Sequence, residues 1–247
     1  MKTSNKLLAA FLLATLLFVT WFIVSAKLHE NTSNTSVLSG LSVTESRELE
    51  PFSKLTVKGR FDVILIQGDF HKLELAGDEN LLPEVVTEIS EGELTIKLNS
   101  NYSGKERIKL LLQMNEIEAL NFSAGTLFST GNVISGEKLA LKSSSGSEGE
   151  ISLNYKKLNS ESSAGSSLKL EGSVDYLEIS SSSGSVVEAG NLISKTCKVK
   201  SSAGSVVNVF ANEEISATIS SGGSLTYAGE PAITNFNTSA GGSVKRK

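Results

Sequence analysis

The sequence predicts an all-β fold: a parallel β-helix or β-solenoid with coils of about 19 residues, preceded by a single N-terminal hydrophobic helix. Three observations carry this expectation. A triplet recurs at a near-constant interval, an apolar/polar alternation is phased to that triplet, and one long apolar run opens the chain. The triplets are Ser123-Ala124-Gly125, Ser144-Ser145-Gly146, Ser163-Ala164-Gly165, Ser182-Ser183-Gly184, Ser202-Ala203-Gly204, Ser220-Ser221-Gly222 and Ser239-Ala240-Gly241. Successive glycines lie 21, 19, 19, 20, 18 and 19 residues apart, a regularity that low-complexity sequence does not keep.

Residues 7–26 form the apolar run, with Lys2 and Lys6 before it and Lys27 after it. Twenty apolar residues reach across a hydrocarbon layer of ~30 Å at ~1.5 Å per residue. Trp21 and Phe22 stand near its outer end, where amphipathic aromatics favour the headgroup level. Val24-Ser25-Ala26 also has the small-residue pattern of a cleavage site, so residues 1–26 read as a signal-anchor or a signal peptide. Both readings export the chain beyond Lys27. Residues 27–46, rich in Ser, Thr and Asn, read as a polar spacer.

Residues 47–122 read as the N-terminal β-strand part of the folded region. Leu55–Val57, Phe61–Ile66, Leu73–Leu75, Leu94–Leu98 and Ile108–Leu112 are short β-favouring runs, separated by turn signals at Gly59, Gly68-Asp69, Gly77-Asp78, Glu91-Gly92 and Ser103-Gly104. Leu81–Ile89 is the one stretch suited to a short helix or an irregular crossover. This part is expected to lead into the solenoid and cap it, because an open end would expose unpaired strand edges.

Residues 123–247 read as the repeat solenoid. Five places before the glycines stand Leu120, Leu141, Ser160, Ile179, Val199, Ala217 and Phe236; seven places before them, Leu139, Leu158, Leu177, Cys197 and Ile215. Lys142, Glu178, Lys198 and Lys200 fill alternate positions, and period two means a strand with one buried and one wet face. A second apolar stretch comes after each glycine, as in Leu168/Leu170, Val187/Ala189, Val207/Val209 and Leu225/Tyr227. Stacked coils ~4.8 Å apart place equivalent residues above one another, so seven would stand ~34 Å tall. At the corner, glycine supplies backbone freedom, the Ala or Ser beside it suits a crowded bend, and the serine two places before it is expected to form a hydroxyl ladder.

The composition excludes several classes of function. A formal net charge of −4 does not attract phosphate backbones, so no nucleic-acid partner is expected. Two histidines, one cysteine and one tryptophan leave histidine triads, zinc sites and haem short of parts; no catalytic, cofactor-binding or metal residues are assigned, and no cofactor is expected. Glycoside hydrolysis needs two carboxylates at a set separation, and lyases need clustered Asp plus Arg or Lys, yet there are only four aspartates, Asp62, Asp69, Asp78 and Asp175, three of them in the first half at strand or turn positions. Asp78-Glu79-Asn80 reads as a cap or turn ahead of Leu81. His29 and His71 have no partner identifiable in the sequence, and Cys197 falls in the inward column as a buried structural thiol. Lys245-Arg246-Lys247 is a solvated basic tail.

One set of residues carries a resemblance. The run Phe52-x-x-Leu55-x-Val57-x-Gly59-x-Phe61-Asp62-Val63 is followed by Gln67-Gly68, by Gly77-Asp78-Glu79-Asn80-Leu81 and by Gly92-x-Leu94-x-Ile96. This ordered set resembles a family of exported bacterial proteins common in Bacteroidota, the putative auto-transporter adhesin head (GIN) domain, over roughly residues 47–243. The resemblance implies a β-helical fold and an adhesin-like role. Taken together, the expectation is a non-enzymatic, envelope-associated β-solenoid that is tied to the membrane by its N-terminal segment or released. It would bind a glycan or surface protein, or serve as a structural module. The alternatives are a polysaccharide-active β-helix enzyme and a periplasmic structural or sensing module.

Overall fold

The computed structural model describes residues 39–99 and 106–247. Residues 1–26, expected to form a hydrophobic helix, lie outside the described residues, and among the latter no helix is long and apolar enough to cross a membrane. In chain order the strands begin with β1 (Ser42–Glu48), β2 (Lys54–Lys58), β3 (Phe61–Gln67), β4 (Lys72–Asp78), β5 (Val85–Ser90), β6 (Glu93–Leu98) and β7 (Ile108–Met114). The repeats come next as β8 (Ala119–Ser123), β9 (Leu127–Thr130), β10 (Ile134–Ser143), β11 (Glu148–Ser162) and β12 (Ser167–Ser181). The last are β13 (Val186–Ser201), β14 (Val206–Ile219), β15 (Ser224–Ala228), β16 (Ile233–Thr238) and β17 (Ser243–Arg246). β1 occupies part of the stretch read as spacer and pairs antiparallel with β4, Ser42 opposite Asp78 and Glu48 opposite Lys72.

The coils have two faces. One stacks β6, β2, β8 and the C-terminal halves of β10 to β14, then β16; the other stacks β7, β3, β9 and the N-terminal halves of β11 to β14, then β15 and β17. All these pairings are parallel, and from β8 onward they join residues about one repeat apart, such as Leu158 with Leu177 and Leu177 with Cys197. The alternation read from the sequence holds: Leu139, Leu141, Leu158, Leu177, Ile179, Cys197, Val199 and Ile215 are all buried. Leu168, Leu170, Val187, Ala189, Val207, Val209 and Leu225 fill the inner side of the second face.

The corners differ from expectation in their physical cause. Both central residues are left-handed, as in a type I′ turn: Ala164 has φ 50° and Gly165 69°, Ser183 54° and Gly184 69°. The corner is open rather than crowded, since a Cβ built on Gly146, Gly165 or Gly184 would meet nothing within 4 Å. Backbone conformation therefore selects the glycine. Each corner closes on itself, with Ser185 N–H donating to the Ser182 carbonyl at 3.2 Å. Each is also tied to the next coil: Gly146 donates to Ala164, Gly165 to Ser183 and Gly184 to Ala203, all at 3.0 Å.

The buried hydroxyl ladder lies one step away from where the sequence placed it. The serine two places before each glycine is only half-buried at Ser144, Ser163, Ser182 and Ser202. The serine just after the glycine is buried instead, facing the one three places before it. Ser143 and Ser147 lie 2.9 Å apart, and Ser181–Ser185 and Ser201–Ser205 both lie at 2.8 Å. Ser185 and Ser205 also reach back one coil, donating to the carbonyls of Ser162 (2.9 Å) and Ser181 (2.8 Å). Hydroxyls inside a parallel stack are thus satisfied by the coil behind. Two exceptions, Ser160 and Ser162, have buried oxygens with no partner.

Chain order and stacking order diverge at the N-terminal end. The β2–β3 coil lies between the β6–β7 coil and the β8–β9 coil. Antiparallel β4 on β7, β1 on β4 and β5 on β6 end the parallel ladder. Between β4 and β5, the stretch suited to a short helix makes a 3-10 turn, Leu82–Glu84, with Pro83 at its centre, and Leu81, Leu82 and Val85 are buried. Arg47 ties the two capping edges, donating from Nη1 to the Val85 carbonyl (2.9 Å) and to Thr87 Oγ1 (3.1 Å). Arg107 seals the first corner by donating to the carbonyls of Gly125 (2.7 Å) and Phe61 (3.2 Å).

Three consequences are measurable by urea or thermal unfolding and thiol reactivity. Gly184→Ala should cost about 1–2 kcal/mol despite the empty space around it, because an L-residue there is held left-handed. Ser160→Ala should be neutral or stabilising by about 1 kcal/mol, because it removes an unsatisfied buried hydroxyl. Burial pushes the Cys197 thiol up to about 12, so it should resist thiol reagents at pH 8 until the domain unfolds; rapid native-state labelling would contradict its placement in the core.

Candidate functional site

The residues singled out for chemistry are not brought together. Asp62 lies on the outer side of β3, in register with Lys109 and Leu127. Asp175 sits at a bend of β12, 2.6 Å from Lys195. Asp78 ends β4 and serves the turn: its Oδ1 accepts from the Asn80 N–H (2.9 Å), and its Oδ2 accepts from the Gly40 N–H (2.8 Å) and Ser39 Oγ (3.1 Å). Desolvation pushes its carboxyl up, and these donors together hold it below the ordinary aspartate value. The His71 ring packs at 5.1 Å against Phe52, and its Nδ1 is buried without a partner. Among the described residues, no group of three or more His, Cys, Asp or Glu side chains is placed to hold a metal ion.

The surface feature that stands out arises from the coil permutation. β7 ends on the coil outside β2–β3, and β8 begins on the coil at its other side. The link Asn115–Glu118 therefore descends past the β2–β3 coil instead of travelling round a full bend. Glu118 N–H donates to the Ser53 carbonyl (2.8 Å), Ser53 Oγ to Glu118 Oε2 (2.8 Å), and the buried Tyr155 hydroxyl to the Ile117 carbonyl (2.9 Å). As a result β8 pairs with β10 only from Ala140 to Ser143, whereas β11 pairs with β10 from Ile134 onward. Residues 134–139 of β10 have a strand on one side only.

A trough of about 840 Å³ occupies the missing strand's place. Gln67 fills one end of it with a side chain that imitates backbone. Ser135 N–H donates to Gln67 Oε1 (2.7 Å), and Gln67 Nε2 donates to the carbonyls of Ser135 and Asn115 (both 3.0 Å). Asn132 fixes that residue from the other side, with Oδ1 accepting from the Gln67 N–H (3.0 Å) and Nδ2 donating to its carbonyl (2.9 Å). Gly136 is a steric requirement: a Cβ there would lie 2.6 Å from the ring of the buried Tyr155.

The trough continues along the second bend of the coils, where an adjoining cavity of about 570 Å³ shares Ser135, Gly136 and Glu137 with it. The bend is where the parallel ladder skips one residue per coil, at Glu137, Lys156 and Asp175. With Lys195 and Glu213 these alternate in sign along the stack. Lys156 meets Glu137 at 2.8 Å, and this hydrogen bond and charge raise the lysine above its ordinary value; Asp175 raises Lys195 in the same way. Lys157 lies over the Tyr176 ring at 4.9 Å. Across both cavities, Glu116, Glu118, Glu137 and Asp175 balance Lys138, Lys156, Lys157 and Lys195, so the trough carries no net charge.

Sequence reasoning did not find this trough. Its one signal was Gln67-Gly68, which formed part of the resemblance with no role attached. No curated protein matches the chain. Among solved structures, a "putative adhesin" from Bacteroides fragilis matches with a TM-score of 0.80 at 20% identity, covering 85% of this chain and 98% of that one. Another from Parabacteroides distasonis gives 0.68 at 17% identity, with the same coverage of both chains. A "putative lipid binding protein" from that organism gives 0.65 at 18% identity, again over 85% of this chain and 98% of the relative. At these identities the likeness speaks for the fold. The family model described as "Putative auto-transporter adhesin, head GIN domain" matches residues 51–231, and the chain belongs to that family.

Proposed function

We propose that the protein is an exported, envelope-associated binding module without catalytic activity, taking a glycan or a surface protein along its solenoid. The observation that carries this reading is the trough: an elongated, charge-balanced surface lined by hydrogen-bonding side chains, at the place where the stack lacks a strand. A concave site of several hundred Å³ with an apolar floor and convergent polar groups is the usual form of a ligand site. The apolar run at residues 7–26 supports export, and the family supports an adhesin-like role. The enzyme alternative is disfavoured because Asp62, Asp78 and Asp175 sit on three separate elements, two of them engaged by donors or by Lys195.

The test uses the full-length protein. Immobilised polysaccharides, envelope fractions and extracellular-matrix proteins should reveal saturable binding to at least one, with no release of oligosaccharide products. Absence of binding across the panel would sink the reading. Product release that disappears in Asp62→Asn, Asp78→Asn or Asp175→Asn would establish the enzyme instead. Protease treatment of intact cells reads location separately: digestion of the domain places it on the surface, and protection places it behind the outer envelope.

A further inference from the structure

The trough has a direction, a repeat distance and an exposed backbone amide, and these together specify a ligand class. It runs along the stack, so its polar groups recur once per coil, at the ~4.8 Å spacing of neighbouring strands. Asn154 and Ser173 are register partners on neighbouring coils and one such recurring pair, with Ser173 Oγ donating to Asn154 Oδ1 at 3.0 Å. Such an advance is close to that of one sugar in an extended β-linked chain. A ligand repeating at that distance meets a hydrogen-bonding side chain at each coil, a carboxylate and an ammonium group in turn.

The zero net charge argues against polyanions and polycations, which would meet as much repulsion as attraction. Neutral hydroxyls suit the set present, because carboxylates accept and ammonium groups donate. The backbone of β10 adds a more selective element. Ala140 gives its N–H to the Glu118 carbonyl at 2.9 Å. By strand alternation Lys138 turns its own N–H and C=O to the same side, where the ladder with β8 has not yet begun. A single N–H and C=O pair between Gln67 and Glu118 is too short an edge to add a peptide strand. It matches one amide, the size of an acetamido group, with Ile117 and Leu139 beneath for the methyl.

We propose that the trough binds a neutral, β-linked polysaccharide bearing acetamido groups, lying lengthwise along the second bend with one acetamido group bonded to the Lys138 backbone. The inference rests on the binding-module reading and gives it a location and a chemistry. Chitotetraose and cellotetraose share a backbone and differ in the acetamido group, so they are the probes for titration against the full-length protein. Chitotetraose should bind at least tenfold more tightly than cellotetraose and than an acetylated tetra-alanine amide. Ala140→Trp, which puts a bulky side chain into the trough from an exposed position, should weaken it at least tenfold. Hydrogen exchange at the Lys138 amide should slow on addition of chitotetraose to the unsubstituted protein. Equal binding of the two sugars, tighter binding of the peptide, or an unprotected Lys138 amide in the complex would overturn the proposal. If neither sugar binds while another member of the wider panel does, the binding reading stands and this inference falls. If nothing binds, both fall.

Discussion

The structure depends on one backbone device, the left-handed corner that passes a hydrogen bond from each coil to the next. The glycine N–H of one corner donates to the Ala or Ser carbonyl of the following corner, from Gly125 to Ser145 through Gly222 to Ala240. Holding Ala or Ser left-handed costs about 1–2 kcal/mol at each corner. The cost recurs because the conformation points that carbonyl along the stack axis, where the next glycine can reach it. Once the corners are locked in register, every side chain is assigned to the inside or the outside, since a one-residue slip would reverse them all.

Register in turn explains a core that is only partly apolar. Where Leu, Ile and Val columns fill the middle of each face, the region next to the corner is a column of serines. Those hydroxyls replace volume with hydrogen bonds to the coil behind, as Ser185 does to the Ser162 carbonyl. The scheme fails where partners do not line up, and Ser160 and Ser162 are left with unsatisfied oxygens. Toward the C-terminal end the column changes character: Gly223 and Gly242 replace the serine, where a Cβ would approach the Ser201 carbonyl to 2.7 Å and that of Ile219 to 2.4 Å.

What was legible in the sequence was whatever repeats. The phased columns named Leu158, Leu177, Cys197 and Ile215 as inward, and each is buried, because period two and a fixed interval together leave a single assignment. What was illegible was whatever breaks the repeat. Ser42–Glu48 is polar enough to pass for a spacer, yet it is a capping edge strand, where charged and hydroxylated residues belong. The serines after Gly146, Gly165, Gly184 and Gly204 were as visible as the ones before them. Choosing between them required the turn's φ angles, which place the first half outside and the second inside. The insertion of the β2–β3 coil between β6–β7 and β8–β9 leaves no local signature, since each strand reads the same wherever it stacks.

That permutation is also why a recognition surface can exist on so regular an object. A perfect solenoid satisfies every backbone group with the coil above and below, and offers a ligand only side chains. The link Asn115–Glu118 has to pass the intervening coil, and in doing so withholds a strand from β10. Gln67 repairs part of the loss with its amide and is itself held by Asn132. The repair stops short of Lys138. Binding capacity here is thus a by-product of how the chain enters its own stack: the regular coils supply a repeat distance, and the single irregular one supplies the unsatisfied amide that distinguishes one polymer from another.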